Sequence, residues 1–437
     1  MPDNQWGFVP LRQLFRINGF PVIPADRPKS LFHYHSIPSF DENGGCVVEF
    51  GSEIESNKTK INKPSVLVSK LNPRKPRVSL AEPKGDEEHC CSTEFICYEP
   101  KNEDEVLEFW RAYFLSSGFA KRLEQIAVGS TNSHTRAAPR ETLDWLVPNP
   151  SESQKRVIAT ILDTLDTQIR QTEAIIAKLQ QVKQGLLHDL LTRGIDESGQ
   201  LRPPYEQAPE LYKESPLGWI PKIWNYDRLS SKSVPGMAHI KTGPFGSALK
   251  GEHWVEEGCP VITIGSLGTG EFIFSELLFV SKRDEVRLSD YALKKGEVVF
   301  SRVADVGRSV AINDEQEGWI MSSNLMKISL DPALVNSQFL QYQLSHPQIA
   351  KLQIRRNVNS AGRDVANSAI LNQLLFFWPS KEEQDRLVKR ISLLEERISN
   401  EKDSLEKLKK QKTGLMDDLL TGRMRVTELI EQEQQAS

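Results

Sequence analysis

The sequence predicts an α+β protein with mixed α/β content: two globular domains joined by two long helices that pair as an antiparallel coiled coil, with an internal pseudo-two-fold duplication. Three observations carry this prediction. First, Ser151 to Arg193 and Ser380 to Arg423 are long stretches in which apolar residues recur at three- and four-residue steps with charges between them. Second, the two stretches repeat one another: Leu162, Leu165, Ile169, Ile176, Leu179, Leu186, Leu190 and Leu191 fall on Ile391, Leu394, Ile398, Leu405, Leu408, Leu415, Leu419 and Leu420, each 229 residues later (391 − 162 = 229). Third, each stretch follows a globular region in which strand-like runs precede a helical pattern.

In chain order, residues 1–150 form the first globular domain. Its strand-like runs include Pro64–Leu71 and Thr93–Pro100, and a helical pattern covers Glu103–Ile126. The first long helix, residues 151–194, starts after Pro148 and Pro150 and stops at Gly194. Residues 195–217 are proline-rich and polar and read as an extended linker. The second globular domain, 218–379, carries strand-like runs at Pro260–Gly265, Glu297–Val303 and Ser309–Ile312, then a helical pattern at Val335–Ile354. The second long helix, 380–423, is followed by a tail, 424–437.

At a rise of about 1.5 Å per residue each long helix spans roughly 60 Å. In the second copy the seam Leu387, Ile391, Leu394, Ile398, Leu405, Leu408, Leu415 keeps a seven-residue period, which favours packing on a partner helix. Glu401 and Lys412 interrupt it, which disfavours a parallel zipper. Both copies end alike, GLLHDLLT at Gly185–Thr192 and GLMDDLLT at Gly414–Thr421. Glycine inside a helix costs about 1 kcal/mol relative to alanine, so Gly185 and Gly414 point either to close approach by another helix or to a tolerated kink.

The globules match as well. Phe109, Ala120 and Lys121 correspond to Phe339, Ala350 and Lys351 at a spacing of 230 (339 − 109 = 230). Val66–Leu71 (VLVSKL) resembles Val298–Val303 (VVFSRV), and GFVP at Gly7–Pro10 resembles GWIP at Gly218–Pro221. The polar turns Gly129–Arg136 and Asn359–Arg363 each follow the matched helix. The chain therefore reads as globule, helix, globule, helix.

A length of 437 residues suits two to four domains. The net charge of −4 weighs mildly against a chain coated all over in nucleic acid and leaves room for a local basic face. No apolar run reaches membrane-spanning length and the N-terminus lacks a secretion signal, so the expected location is the cytoplasm. The five cysteines lack paired CxxC spacing, and Cys90, Cys91 and Cys97 have only His89 beside them; no metal site is predicted and the thiols read as free.

A duplicated chain that holds two globules apart suits two separated targets on one DNA duplex, as a symmetric dimer reads two half-sites. The globules have diverged more than the helices, so their targets should differ. The first globule crowds Lys58, Lys60, Lys63, Lys70, Asn72, Arg74, Lys75 and Arg77 into a short stretch, with Asn132, Ser133, His134 and Arg136 on its polar turn. The second spreads Lys241, Thr242, Lys250, Arg302, Asp305, Arg308, Arg355 and Arg356 among loops, with Asn359, Ser360 and Arg363 on its turn. Such residues neutralise phosphates and offer fork-shaped donors to base edges. The long helices carry acids and bases in near balance and are better suited to spacing and docking than to a phosphate surface.

Catalytic signatures are absent from the sequence. An adenine methyltransferase needs an Asn or Asp before Pro-Pro and an aromatic residue, to accept the flipped base's amino protons. The nearest match, Arg202-Pro203-Pro204-Tyr205, begins with an arginine that cannot accept them. GSLGTG at Gly265–Gly270 lacks a clear following helix and reads as a hairpin loop. No GxxxxGK[ST] sequence occurs, and no histidine sits in metal or triad spacing.

The order of parts, WIPKIW after the linker (Trp219–Trp224), KKGEVVFSR (Lys294–Arg302), the Pro379, Ser380, Glu383, Gln384 helix start and GLMDDLLTGR resemble the specificity subunit of type I restriction-modification enzymes. The resemblance spans nearly the whole chain and is strongest from Gly185 onward; the first long helix begins PSESQ, without adjacent Glu-Gln. It implies two target-recognition domains that each read one half of a bipartite, asymmetric DNA site, with a spacer set by the helical pair. It also implies docking of two methyltransferase subunits, which use S-adenosylmethionine on adenine, and of ATP- and Mg-dependent restriction subunits, with no cofactor on this chain. The docking residues expected are Gly185, Leu186, Leu190, Leu191, Gly414, Leu415, Leu419 and Leu420. The competing reading is a coiled-coil scaffold whose globules bind proteins; the DNA reading requires both basic clusters to face one duplex.

Overall fold

The computed structural model describes residues 6–129, 135–303, 306–357 and 366–427. The chain divides into two compact units: Met1–Ile175 with Glu401–Ser437, and Ile176–Asn400. Each unit takes one half of each long helix, which run Glu152–Thr192 and Lys381–Leu420, close to the predicted bounds.

The first unit holds a four-stranded antiparallel sheet in the spatial order Phe15–Asn18, Phe95–Pro100, Ser65–Ser69, Val78–Ala81. A five-stranded sheet, ordered Pro21–Val22, Lys58–Ile61, Glu88–Ser92, Leu31–His35, Val47–Phe50, lies in the same unit. The core gathers Phe15, Tyr98, Phe109, Trp110, Phe114 and Phe119 with Leu162 of the first long helix and Leu419 and Leu420 of the second. The two helix segments in this unit run antiparallel: Lys412 pairs with Asp166 and, three residues earlier, Lys409 pairs with Glu173, seven residues later.

The second unit repeats the first sheet strand for strand. Ile240–Thr242, Leu325–Ile328, Val298–Ser301 and Ser309–Ala311 form a four-stranded antiparallel sheet in that order. Its other four-stranded sheet, built on Cys259–Ile262, has no counterpart of the same order in the first unit. Leu190, Leu191, Leu387 and Ile391 of the helix segments enter a core with Trp224, Phe339 and Phe376. Here too the segments are antiparallel, with Lys183 against Glu395 at 2.7 Å and Ile195 against Glu383.

Each globule's predicted helix is in fact two. In the first unit Leu107–Leu115 ends at Ser116, whose side chain then caps Ser117–Gln125. In the second, Ser337–Ser345 ends at His346, ahead of Pro347 and a π-turn. Ser116 and His346 are both extended (ψ 148° and 128°), and each accepts a backbone N–H of the following turn, so the break itself is duplicated.

Three expectations change. GFVP and GWIP are not equivalent. Gly7–Pro10 pairs with Leu146–Asn149, whereas Gly218–Pro221 pairs with Tyr212–Ser215 of the presumed linker. The strand that pairs with Leu375–Trp378, the repeat of Leu146–Asn149, is Asn225–Arg228, so Trp6 corresponds to Trp224.

The 195–217 segment is also no loose linker. Gly194 turns the chain at φ 63°, and a Cβ there would lie 2.4 Å from Trp224 and 2.5 Å from Arg202 and Glu383. The buried Glu383 carboxylate accepts from the Ile195 N–H (3.0 Å), Arg202 (2.6 Å) and Trp224 Nε1 (3.0 Å). Arg202 also donates to the Arg193 carbonyl at 3.0 Å. One carboxylate thus ties helix end, connecting segment and helix start together.

Finally, a Cβ on Gly185 or Gly414 would meet nothing within 4 Å. The Cβ side of each glycine is therefore open and is not pressed against a helix.

Candidate nucleic-acid interface

The duplicated four-stranded sheet positions the candidate site, because the turn of its edge hairpin carries basic residues in both units. In the first unit the turn between Ser65–Ser69 and Val78–Ala81 holds Lys70, Asn72, Arg74 and Lys75, with Arg77 at its end. Asn72 takes φ 49°, a conformation its short polar side chain tolerates. Its N–H donates to the Thr135 carbonyl and its carbonyl accepts from the Lys75 N–H. The Ala137 N–H donates to the Lys70 carbonyl at 3.0 Å. The fold therefore brings the basic turn against the segment that follows the polar turn, two stretches about 60 residues apart in sequence (135 − 72 = 63).

The second unit makes the same stitches. Ser69 and Ser301 hydroxyls donate to the carbonyls of Leu71 (3.0 Å) and Val303 (2.7 Å). The Ser69 N–H reaches the Arg77 carbonyl at 2.9 Å, as Ser301 reaches Arg308 at 2.8 Å. Ala366, 229 residues after Ala137, donates to the Arg302 carbonyl at 2.8 Å. Lys70 and Arg302 are thus equivalent, each with its own N–H given to the residue before the next strand, Glu94 and Asn324.

The individual side chains differ in what they can offer. Arg77 is buried and donates twice to Asp41, at 2.8 Å each, which holds the Asp41 carboxyl well below the usual range. It is a structural residue, and so is Lys58, buried with its Nζ on local oxygens of Glu55 and Ser56. Arg136 forks onto Glu94, Arg74 meets Glu124 at 2.5 Å, and Lys75 meets Asp41 at 3.0 Å. These three are exposed surface pairs, worth little and easily exchanged for a phosphate. Lys70 is half-buried and has no carboxylate partner among the described residues.

In the second unit Lys241 donates to the Asp290 carbonyl at 2.7 Å and lies over Tyr291. Thr242 shares a sheet row with Met326 and Phe300, next to the hairpin turn. Lys250 is exposed on the following loop. Arg308 donates to the Leu267 carbonyl of the GSLGTG segment, which is a closed turn in which Leu267 bridges Phe272. The Arg302 Nε is buried with no hydrogen-bond partner among the described residues. Arg355 and Arg356 are exposed on the helix leading to the second polar turn. Asn132, Ser133, His134, Asp305, Asn359, Ser360 and Arg363 lie outside the described residues.

Two aromatic residues escaped the sequence reasoning, which looked for charge. Phe20 is 65% exposed and Phe245 is 86% exposed. Each follows the first edge strand of its duplicated sheet, at the end where the hairpin turns. A phenylalanine that solvent strands on a loop beside basic groups can stack on a base or touch a thymine methyl. The signal was its setting among small residues: NGFP at Asn18–Pro21 and GPFG at Gly243–Gly246.

The docking residues divide in two. Leu190, Leu191, Leu419 and Leu420 are at most 2% exposed and belong to the unit cores, so their expected docking role gives way to packing. Gly185 and Gly414 are exposed, with Leu186 and Leu415 half-buried beside them. Among the described residues no helix is long and apolar enough to cross a membrane.

The sequence profile of the type I restriction modification DNA specificity domain matches residues 4–181 and again residues 230–410. The chain belongs to that family. Two matches in one chain agree with the duplicated sheets. A specificity subunit of the type I restriction enzyme MjaVIII from Methanocaldococcus jannaschii is 23% identical over 287 residues, 65% of this chain and 63% of the relative. The specificity subunit of the type I enzyme EcoBI from Escherichia coli is 23% identical over 61% of this chain and 54% of its own length. The chain thus spans less than two thirds of the length of these relatives. Among solved structures, the S subunit of a type I restriction-modification system from M. genitalium has a TM-score of 0.57 at 14% identity, covering 96% of this chain and 97% of that one. A chain from a type I R-M structure on complex assembly and conformational transition also scores 0.57, at 18% identity and 97% coverage of this chain. They share the fold.

Proposed function

We propose that this chain is the DNA-reading, non-catalytic specificity subunit of a type I restriction-modification complex, with each unit reading one half of a bipartite asymmetric site. The observation that carries this reading is the duplicated hairpin turn, with Lys70 or Arg302 at its first position, a returning polar segment stitched to it, and an exposed phenylalanine nearby. Lys70, Asn72, Arg74, Lys75 and Arg136 serve the first half-site; Thr242, Lys250, Arg302 and Arg308 serve the second. The polar-turn residues Asn132, Ser133, His134, Asn359, Ser360 and Arg363, together with Asp305, complete the reading loops. Arg77 supports its turn through Asp41 and contacts no DNA.

The open helix faces around Gly185 with Leu186, and Gly414 with Leu415, dock the two methyltransferase subunits. Those subunits supply S-adenosylmethionine and methylate adenine; restriction subunits supply ATP and Mg chemistry. The cytoplasm, where DNA lies, is the location this requires. Exchanging residues 1–150 for the equivalent domain of a relative with another target, then mapping methylated adenines by sequencing, tests it. One half of the recognised site should change and the other should persist; change in both or in neither overturns the reading.

A further inference from the structure

We infer that the five-stranded sheet of the first unit carries a structural zinc site made by His33, Cys46, Glu87 and His89. The four residues are scattered in sequence, but the sheet brings them to one place. Leu31–His35 and Glu88–Ser92 are parallel neighbours with His33 directly opposite His89. Their imidazoles stack face to face, with centroids 4.4 Å apart and planes 4° from parallel. On the other side of Leu31–His35 lies Val47–Phe50, in antiparallel register with Tyr34 opposite Val47. Cys46, one residue before that strand, therefore comes level with His35 and points to the same face as the histidines. Its Sγ lies 4.0 Å from His33 Nδ1. Glu87, one residue before the other strand, places Oε2 3.2 Å from His89 Nε2.

The distances suit one small ion. One ligand atom each from His33, Glu87 and His89 all lie within 4.8 Å of one another. A tetrahedral zinc with bonds of about 2.0–2.3 Å needs ligand atoms roughly 3.3–3.8 Å apart. Cys46 Sγ stands beside this trio, 4.0 Å from His33 Nδ1, and turns inward to join it. Two imidazoles, a thiolate and a carboxylate are a borderline donor set that favours zinc over magnesium or calcium, which take oxygen ligands. Four protein donors close the coordination shell, the pattern of structural rather than catalytic zinc. Binding releases the Cys46 thiol proton to solvent, so the thiolate ligates.

The histidines around the site are buried and few of their ring nitrogens have protein partners. His89 is 6% exposed, and its Nδ1 is buried without a hydrogen-bond partner among the described residues. Next to it His35 is 4% exposed, with both ring nitrogens in the same condition. Three stacked or tilted imidazoles in one patch offer one another no carbonyl or carboxylate beyond Glu87. An ion at the Glu87 edge clamps the strand pair to the two loops that hold Cys46 and Glu87.

The purified full-length chain, stripped with a chelator, tests this by titration with zinc chloride against a chromophoric zinc indicator and by elemental analysis. About one zinc per chain should bind, and cobalt in its place should show thiolate-to-metal absorption that C46S abolishes and C259S keeps. The double variant H33Q/H89Q should lose affinity by more than about 100-fold, beyond the 10–100-fold cost of disturbing an outer-shell partner. Failure of the stripped chain to bind zinc, or unchanged zinc affinity in H33Q/H89Q with a native circular-dichroism spectrum, overturns the site. If H33Q/H89Q does not fold, the wild-type chain decides: chelation should lower its melting temperature and zinc restore it, and a melt indifferent to both overturns the proposal.

Discussion

The two units build the same sheet and hairpin but anchor their long helices by different chemistry. At equivalent positions the second unit has Gln384 and the first has Lys155 (384 − 155 = 229). The Gln384 amide donates to the Leu334 and Pro379 carbonyls and accepts from the Asn336 N–H, at the start of Ser337–Ser345. Lys155 instead forms a buried ion pair with Glu105, at the start of Leu107–Leu115, and lies over Trp110. Trp110 Nε1 donates to the same Glu105 at 2.8 Å. The lesson is that duplication conserves where a helix must be tied down, while the group that ties it can change from a neutral amide to an ion pair. Most buried polar groups still find a partner, by one means or the other.

That contrast can be broken most strongly at the charged anchors. Glu383→Ala leaves Arg202 buried without its carboxylate and should destabilise the second unit by about 3–5 kcal/mol; Lys155→Met leaves Glu105 with Trp110 alone and should cost the first unit about 3 kcal/mol. Urea unfolding of each variant measures both, and two losses below 1 kcal/mol would show the anchors to be dispensable.

A pH scan sharpens the comparison next. His346 sits at the duplicated helix break, and burial, then the neighbouring His188, hold its pKa down at about 4 against the ordinary 6.5. A depressed base is neutral in the fold, so its contribution is full above about pH 6.5 and is lost as pH falls toward 4. His346→Gln should flatten that part of the stability profile; Ser116, its counterpart, does not titrate, so Ser116→Ala should leave the profile's shape unchanged.

The hairpin turns should respond alike. Lys70→Ala and Arg302→Ala should each weaken DNA binding by about 1–3 kcal/mol, relaxing one half-site where the lost contact is to a base, or lowering the salt slope by about one where it is to a phosphate. Arg77→Ala should reduce stability while the salt slope stays put. Equilibrium binding at several salt concentrations separates these outcomes. The smallest effect belongs to the glycines: Gly185→Ala and Gly414→Ala should stabilise the isolated chain by roughly 1 kcal/mol yet reduce co-purification with a methyltransferase subunit. Unchanged co-purification would remove the docking role.

Much of the architecture was legible because it depends on periodicity. The long helices, the strand runs around Val66 and Val298, and the equivalence of Phe109 and Phe339, both fully buried, follow from patterns that survive divergence. Short strands were less legible. GFVP and GWIP look alike, but a four-residue strand has too little pattern to name its partner, and pairing showed Asn225–Arg228 to be the equivalent of Gly7–Pro10. The 195–217 segment looked loose because its composition is polar, whereas one buried carboxylate from residue 383 orders it.

The candidate site divides in the same way. Sequence alone determined that two diverged globules with basic turns hang on repeated helices, because local composition and helical period are properties of neighbouring residues. Tertiary structure decided which of those charges are free to act. Arg77 and Arg74 sit three residues apart on one turn, yet one is sealed against Asp41 and the other is exposed, since burial is set by what strands and helices far away in sequence place alongside. The same holds for His33, Cys46, Glu87 and His89, which share no recognisable spacing and come together only because Leu31–His35 pairs with Glu88–Ser92 on one side and Val47–Phe50 on the other.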